Sequence, residues 1–218
     1  MNLEQKKLAL FPLGGVVLFP GFPLAIRVFE ERYKKLVLDV KSADSRMGIV
    51  LIKEGNEVGD TAEPFLVGTQ AKIVESADLE NGQIFLSLLG EQVFRISQIV
   101  TEYPYLTADV ELFGESLDPQ GLPERVESAT NAFHEYLRIA RLVEGSWSEH
   151  LVNEPDPVRL SYLIAQTMSA EPLVKQGLLE TFGVGDRLEI EENLLRRGVE
   201  RLRNRLVDRG PQSRFSNN

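Results

Sequence analysis

The hydrophobic pattern of this chain changes its period once, near Gly114–Pro123. Before that segment, short apolar runs bounded by proline and glycine predict β-strands, and the clearest run, Tyr105–Leu112, alternates apolar and polar residues. After it, apolar residues recur every three or four positions, which predicts amphipathic helices. The segment itself (GESLDPQGLP) has the composition of a linker. The pattern therefore predicts an α+β protein, with a β-rich domain over residues 1–116 and a helical bundle domain over residues 117–218.

The first half contains further strand candidates and one helix candidate. The strand candidates are Leu8–Phe11, Leu24–Phe29, Met47–Lys53, Val67–Glu75 and Gln83–Leu89. Asn81 and Gly82 join the last two and supply the positive-φ residues that a tight hairpin turn needs. The segment Glu30–Val40 has an apolar side at helical spacing, formed by Tyr33, Leu36, Val37 and Val40. We therefore expect a sheet interrupted by one helix.

Start and stop signals divide the second half into helices. Asp156 before Pro157 predicts an N-cap and a helix running to about Met168, and Glu171 before Pro172 opens another that ends near residues 182–185. Asp186 with Glu189 three residues later matches a capping-box pattern for the last helix. The residues 210–218 are expected to fray. The first helix should end at Gly145, and its apolar stripe consists of Val126, Ala129, Phe133, Tyr136, Leu137, Ala140 and Val143. The stripe of the last helix consists of Leu188, Leu195, Val199, Leu202 and Leu206.

Composition limits the environment and the partners of the chain. It has 218 residues and no cysteine, which excludes disulfides, thiolate metal sites and a cysteine nucleophile. The N-terminus has only a short apolar run, interrupted by Pro12, and lacks the features of a signal peptide. No run approaches the roughly 18 apolar residues that span a bilayer. We therefore expect a cytoplasmic protein with no membrane partner.

Charge is unevenly distributed along the chain. The net charge is −9, which disfavours binding to nucleic acid, yet the residues from Arg187 to Arg214 include eight arginines against four glutamates and one aspartate. A solvated helix is the simpler interpretation of this basic segment, because cations suit the C-terminal end of a helix. A docking surface for an acidic partner is the alternative. No aromatic residue interleaves with these arginines before Phe215, so we predict no nucleic-acid partner.

Motifs of the common catalytic chemistries are missing. No glycine is followed by lysine, so the chain has no Walker A loop. His134 and His150 are the only histidines and are not one helical turn apart, which argues against a zinc hydrolase site. The segment 145–148 lacks the second glycine of a serine-hydrolase elbow. We therefore predict no catalytic residues, no metal and no cofactor, although spacing does not decide for or against a Ser–Lys dyad or a carboxylate pair.

The most informative segment is Leu10–Tyr33 (LFPLGGVVLFPGFPLAIRVFEERY). It contains Leu-Phe-Pro-Leu at 10–13, Leu-Phe-Pro-Gly at 18–21, an apolar run at 24–28 and Phe-Glu-Glu-Arg-Tyr at 29–33. This order and spacing resembles the opening of the Lon protease N-terminal (substrate-binding) domain family, and the likeness extends over most of residues 8–206. The family often has a basic residue just before the phenylalanine that corresponds to Phe94, whereas this chain has Gln92 and Val93 there. Further matches are Gly48-Ile49, Val67–Thr69, Gly90 with Phe94–Ile96, Tyr103–Tyr105, Lys175-Gln176 and Asp186–Leu188.

The resemblance implies a PUA-like β pseudo-barrel with one inserted helix, followed by a C-terminal helical bundle. In the full proteases this domain engages substrate polypeptides, and an ATPase and a protease domain follow it. Because this chain ends at Asn218, we expect a stand-alone, bacterial recognition module that is not an enzyme. Its expected partners are unfolded or degron-bearing polypeptides, and a protease or ATPase. The oligomeric state is left open between a monomer and a weak dimer.

Two interpretations of the front segment stay open. Its aromatic residues can belong to the core, with the prolines and glycine as turn formers. Alternatively, an exposed turn forms an apolar patch that binds unfolded chain segments. The candidate polypeptide-binding residues are then Phe19, Pro20, Phe22, Pro23, Phe29 and Tyr33. Glu30 and Arg32 are expected to be a structural ion pair or charges at the start of the helix rather than ligands.

The predicted function is non-catalytic polypeptide binding, as an adaptor or a chaperone-like protein. One alternative is an enzyme with an unrecognised site in the barrel cleft, which a polar pocket with clustered carboxylates or a buried lysine would support. The other is a regulatory partner of a larger protease assembly.

Overall fold

The computed structural model describes residues 4–56, 62–118, 120–144 and 153–208. The chain forms two compact units, one of residues 1–115 with 170–180 and one of residues 116–169 with 181–218. The predicted order of strands, one inserted helix and then helices is confirmed. The elements are β1 (Glu4–Leu13), β2 (Pro23–Val28), α1 (Glu31–Lys41), β3 (Arg46–Glu54), β4 (Glu63–Asp78), β5 (Ile84–Thr101), β6 (Thr107–Leu112), α2 (Leu122–Glu144), α3 (Pro157–Thr167), α4 (Pro172–Leu179) and α5 (Val184–Asp208).

The six strands form one sheet in the order β2-β5-β4-β3-β1-β6, and β6 also pairs with β5. This second pairing is available because β5 has 18 residues. Its first part pairs with β2, where Ile84 faces Val28, and its second part pairs with β6, where Phe94 faces Leu112. Five strands thus close a ring, β5-β4-β3-β1-β6, and β2 lies outside it. Within the described part of the chain, β5 is the one strand that pairs with β2.

Two apolar clusters stabilise this unit. One includes the fully buried Phe94 and comes from the ring strands β1, β3, β5 and β6. The other lies under α1, whose buried residues are the four that the helical spacing predicted. The first cluster consists of Leu8, Leu10, Val50, Phe94, Ile96, Ala108, Val110 and Leu112. Because both clusters include residues of β1, this strand connects the ring to the helix.

The hairpin between β4 and β5 differs from the predicted tight turn. The Leu79 N–H donates to the Gln83 carbonyl (2.8 Å), and the Gly82 N–H donates to the Leu79 carbonyl (2.9 Å). Gly82 has a φ of 73°, whereas Asn81 keeps a negative φ. The loop therefore has three residues, and such a loop needs only one residue with positive φ, its glycine.

The helix α4 packs on β4 within the first unit. Its buried Gln176 side chain donates from Nε2 to the Val67 carbonyl of β4 (3.0 Å) and to Glu180 Oε1 (2.8 Å). The sequence pattern assigns this helix to the bundle, because its apolar spacing is the same as that of the bundle helices. What distinguishes α4 from the bundle helices is the hydrogen bond from Gln176 to Val67, a residue 109 positions away along the chain.

In the second unit, α2, α3 and α5 pack together. The predicted N-cap is confirmed, since the Asp156 carboxylate accepts hydrogen bonds from the Val158 N–H (2.8 Å) and the Arg159 N–H (3.3 Å). The predicted capping box at Asp186 is wrong. The helix α5 begins at Val184, so Asp186 lies in its first turn, where a carboxylate also suits the helix dipole. Gly145, His150 and residues 210–218 lie outside the described residues.

The buried face of α2 is centred differently from the predicted stripe. It includes Ala132 and Ile139, whereas Leu137 and Ala140 of the predicted stripe are only partly buried. The helix packs against two others, α3 and α5, so a wider arc of its surface is covered than a single stripe predicts.

A polar cluster is buried between α3 and α5. Arg187 is fully buried, and its Nε donates to Ser161 Oγ (2.6 Å), which donates to Glu191 Oε1 (3.0 Å). The Arg187 guanidinium also donates to the Thr181 carbonyl (2.8 Å) and lies 4.3 Å from the centre of the Tyr162 ring. The interpretation of the basic segment as a solvated helix is therefore wrong for Arg187, whose charge is stabilised inside the unit.

Candidate functional site

A groove with a volume of about 220 Å³ runs along β2. Every residue from Leu24 to Glu30 lines it, and so do Phe11 and Leu13 of β1. Val16 and Tyr33 complete the lining. The lining is mainly apolar, and the volume is below the roughly 300–1,000 Å³ of typical small-molecule sites. The groove is therefore better suited to apolar side chains than to a whole metabolite.

A turn at the start of β2 positions one end of the groove. Phe22 donates its N–H to the Phe19 carbonyl (3.2 Å), with Pro20 and Gly21 between them and Gly21 at a φ of 83°. This is a type II turn, which favours proline and then glycine at these two positions. Gly21 then donates to the Gly90 carbonyl (2.8 Å), and Gly90 donates to the Phe22 carbonyl (3.0 Å). The Leu-Phe-Pro-Gly motif thus attaches the start of β2 to the middle of β5.

The candidate residues from the sequence are divided between the core and the surface. Phe19 is fully buried and Tyr33 nearly so, which makes both of them core residues, as the first interpretation of the front segment holds. Pro20 and Phe22 are partly buried, and Pro23 is exposed. Phe29 is 50% exposed and lines the groove. Of the six candidates, the groove brings together Phe29 and Tyr33, and polypeptide binding by any of the six stays a prediction.

Other lining residues are absent from the sequence-based candidates. Val16 is 40% exposed, and Leu24 and Ile26 are partly buried against the cluster under α1. The apolar run at 24–28 was visible in the sequence, but nothing in it showed that this strand lies at an edge. Edge position follows from strand pairing, which the local pattern does not encode.

The charged side chains at the groove include one ion pair and one arginine without a partner among the described residues. The Arg32 guanidinium pairs with the Glu30 carboxylate (3.0 Å) and lies 4.6 Å from the centre of the Tyr33 ring, so the predicted structural ion pair is confirmed. Arg27 is exposed on β2 and has no ion-pair or hydrogen-bonding partner for its side chain among the residues that the structure describes. The groove therefore carries one cation that is available to a bound molecule.

The groove does not have the polar groups that the enzyme alternative requires. Its lining includes one carboxylate, Glu30, and no lysine. Burial lowers the pKa of Lys175, but that residue lies on α4 and does not line the groove. No cluster of three potential metal ligands occurs within the described ranges. The arrangement can bury apolar groups and attract a carboxylate, and nothing in its lining indicates bond-breaking chemistry.

Comparison with known proteins decides the family. The model of the ATP-dependent protease La (LON) substrate-binding domain matches residues 7–197. The chain belongs to this family. It is thus a member of a family of substrate-recognition domains, as the front segment predicted, and the domain is not the catalytic part of the proteases named for it. Among the described residues, no helix has the length and apolar character needed to cross a membrane.

Solved structures confirm the fold. A Lon N-terminal domain protein from Xanthomonas campestris has a TM-score of 0.61 at 23% identity, covering 84% of this chain and 95% of that one. The N-terminal domain of Mycobacterium avium complex Lon protease has a TM-score of 0.70 at 16% identity, covering 87% and 98%. The predicted PUA-like pseudo-barrel with one inserted helix and a helical bundle is therefore confirmed, with the barrel present as the five-strand ring.

Curated relatives are full Lon proteases. That of Desulforamulus reducens is 25% identical over 191 residues, which is 87% of this chain and 24% of the protease. That of Escherichia coli K12 is 27% identical over 192 residues, 85% and 24% respectively. The chain thus spans about a quarter of the length of these relatives.

Proposed function

We propose that this Lon-type domain binds unfolded or degron-bearing polypeptides through the apolar groove along β2. The observation that carries the proposal is the half-exposed Phe29 ring beside the exposed Val16 side chain, at an apolar groove whose volume suits side chains. Contiguous exposed apolar surface, unlike single scattered apolar residues, marks interaction sites, and here Phe29 and Val16 line the same groove. Family membership supports a polypeptide as the occupant.

The proposed role is recognition without catalysis. Bound polypeptides would be passed to an ATP-dependent protease in the cytoplasm, because the relatives that share this domain are such proteases. Binding itself should not require ATP, since the groove offers apolar surface and no phosphate-binding loop. We expect dissociation constants in the micromolar range or tighter.

Titration with reduced, carboxymethylated lactalbumin tests the proposal, with the folded protein as a non-binding reference. The variants Phe29→Ser and Val16→Ser should each weaken binding, by about tenfold for Phe29→Ser, because aromatic side chains at the centre of an interface contribute most of its energy. Leu38→Ser and Val74→Ser are matched controls, because these side chains are 64% and 63% exposed and do not line the groove. Absence of binding by the unaltered protein, or equal loss in the control variants, would show that the groove is not the site.

A further inference from the structure

The hydrogen bonds at the start of β2 determine which of its backbone groups are free. The pair formed by Phe22 and Gly90 is hydrogen-bonded, and the register from Pro23 to Val28 has no shift. In an antiparallel ladder, hydrogen-bonded and non-hydrogen-bonded pairs alternate. The even-numbered residues of β2 therefore direct their N–H and C=O groups to β5, and Ala25 and Arg27 direct theirs to the open edge.

The residues that carry those outward groups belong to the lining of the groove. Ala25 and Arg27 line the groove, and β2 has no strand partner on that side within the described ranges. Phe11 and Leu13 also line the groove, and they belong to the part of β1 beyond its pairing with β6, which ends at Ala9. The groove is thus lined by residues of two strands, and those of β2 include the two whose backbone donors and acceptors point away from β5.

From this placement we infer that the groove binds its polypeptide as an added β-strand, in an extended conformation paired with Ala25 and Arg27. The inference rests on the proposed function and specifies its substrate: an extended segment with apolar residues at alternate positions and a carboxylate near Arg27. An edge strand with unpaired N–H and C=O groups is a template for such pairing. One face of the added strand covers the apolar lining, because side chains alternate between faces.

The chemistry of the groove distinguishes this occupant from an amphipathic helix. A helix satisfies its own backbone hydrogen bonds and would leave those of Ala25 and Arg27 unpaired beneath it, which is costly when water is excluded. An extended segment satisfies them. Its carboxylate would pair with Arg27, the groove cation that has no partner within the described chain.

Backbone methylation of a peptide tests the inference on the full chain. The probe is a decapeptide in which leucine alternates with threonine and one aspartate, prepared unmethylated and with N-methyl groups on either alternate set of residues. An added strand uses the N–H groups of one set only, so methylation of that set should weaken binding by about tenfold and methylation of the other set much less. Equal affinities for the two methylated peptides would overturn the inference.

A protein variant provides an independent measurement. Ala25→Pro removes one outward N–H without removing a bond to β5, and the same strand already has a proline at the outward position 23. It should weaken binding of the unmethylated peptide by about tenfold with an unchanged circular dichroism spectrum. Arg27→Gln should weaken binding about two- to fivefold, an effect lost when the peptide aspartate is replaced by asparagine.

The outcomes separate the inference from the proposed function. One outcome is that carboxymethylated lactalbumin binds, that Phe29→Ser weakens this binding, and that neither Ala25→Pro nor methylation of the peptide changes the affinity for the peptide. In that case the groove recognises side chains, and the inference of an added strand is wrong. If the lactalbumin does not bind at all, the proposed function fails and the inference with it. Slower hydrogen exchange at the Ala25 and Arg27 amides in the peptide complex would support the added strand directly.

Discussion

The rings of Phe11 and Tyr33 stack with their centres 4.4 Å apart and their planes at 30°. Phe11 belongs to the Leu-Phe-Pro-Leu motif on β1, and Tyr33 belongs to the Phe-Glu-Glu-Arg-Tyr motif that begins α1. These two residues, which are 22 positions apart in the sequence, thus bring their motifs together in the cluster under α1. Both rings also line the groove, so the contact that stabilises the helix also forms the wall of the candidate site.

This stack predicts a measurable coupling. Phe11→Leu and Tyr33→Leu should each lower the free energy of unfolding by about 1–3 kcal/mol. The double variant should lose about 1 kcal/mol less than the sum, because the second substitution no longer breaks the aromatic pair. Urea denaturation of the four proteins measures this. The pair Phe11→Leu with Phe94→Leu, whose rings belong to different clusters, should be nearly additive. Additivity of the Phe11 and Tyr33 substitutions would contradict a stabilising stack.

Gly90 should not tolerate a side chain. A Cβ atom there would lie 2.5 Å from the Phe19 carbonyl oxygen, a backbone atom that cannot rotate away. Gly90→Ala should therefore destabilise the protein by about 1–3 kcal/mol, which thermal unfolding can measure. Gly114→Ala is the control, since nothing lies within 4 Å of a Cβ at that position. A Gly90 variant as stable as the control would mean that the turn at 19–22 shifts freely.

The buried polar cluster predicts a strong effect of a small change. Ser161→Ala removes the hydroxyl that joins the Arg187 guanidinium to the Glu191 carboxylate. Two charged groups would each lose a buried hydrogen bond, so we expect a loss of about 2–3 kcal/mol in the free energy of unfolding. Ser128→Ala on α2 should have an effect of less than about 1 kcal/mol, because Ser128 is only partly buried. Similar losses in the two variants would show that water replaces the Ser161 hydroxyl.

Tyr105 predicts a dependence of stability on alkaline pH. Burial, together with the hydrogen bond that its hydroxyl donates to Asp39 Oδ2 (2.7 Å), raises the pKa of Tyr105 from 10.0 to about 12. The folded state therefore holds this proton more tightly than the unfolded state, and the resulting stability is full below pH 10.0 and is lost towards pH 12. Tyr105→Phe should remove this part of the alkaline decline. Urea denaturation of both proteins between these pH values measures the difference, and parallel curves would contradict the prediction.

Local patterns were sufficient where one residue decides one conformation. The Asp156 N-cap and the buried side of α1 follow from hydrogen-bonding groups and apolar spacing within a few residues, and both are confirmed. Asp186 shows the limit of such reasoning, because a carboxylate is equally suited to the N-cap and to the first turn of a helix. The local pattern could not decide between the two.

The candidate site could be predicted only in part. The segment Leu10–Tyr33 indicated the family and contains all eleven lining residues of the groove. The partner strand of β2, which is β5, lies outside this segment and could not be identified from it. Burial distinguished the exposed Phe29 from the buried Phe19, although the two have the same side chain and each follows an aliphatic residue in the sequence.

The sequence by itself determined the elements, the family and the absence of common catalytic motifs, because these depend on residue type and spacing along the chain. Tertiary structure decided which strand lies at an edge, which aromatic rings are exposed, and that Arg187 is buried while Arg27 is not. Those properties depend on contacts between residues far apart in the sequence. The pairings of β5 illustrate this. Both β2 and β6 pair with β5, but β6 also pairs with β1 and so closes the ring, whereas β2 has no second strand partner among the described residues and keeps an open edge.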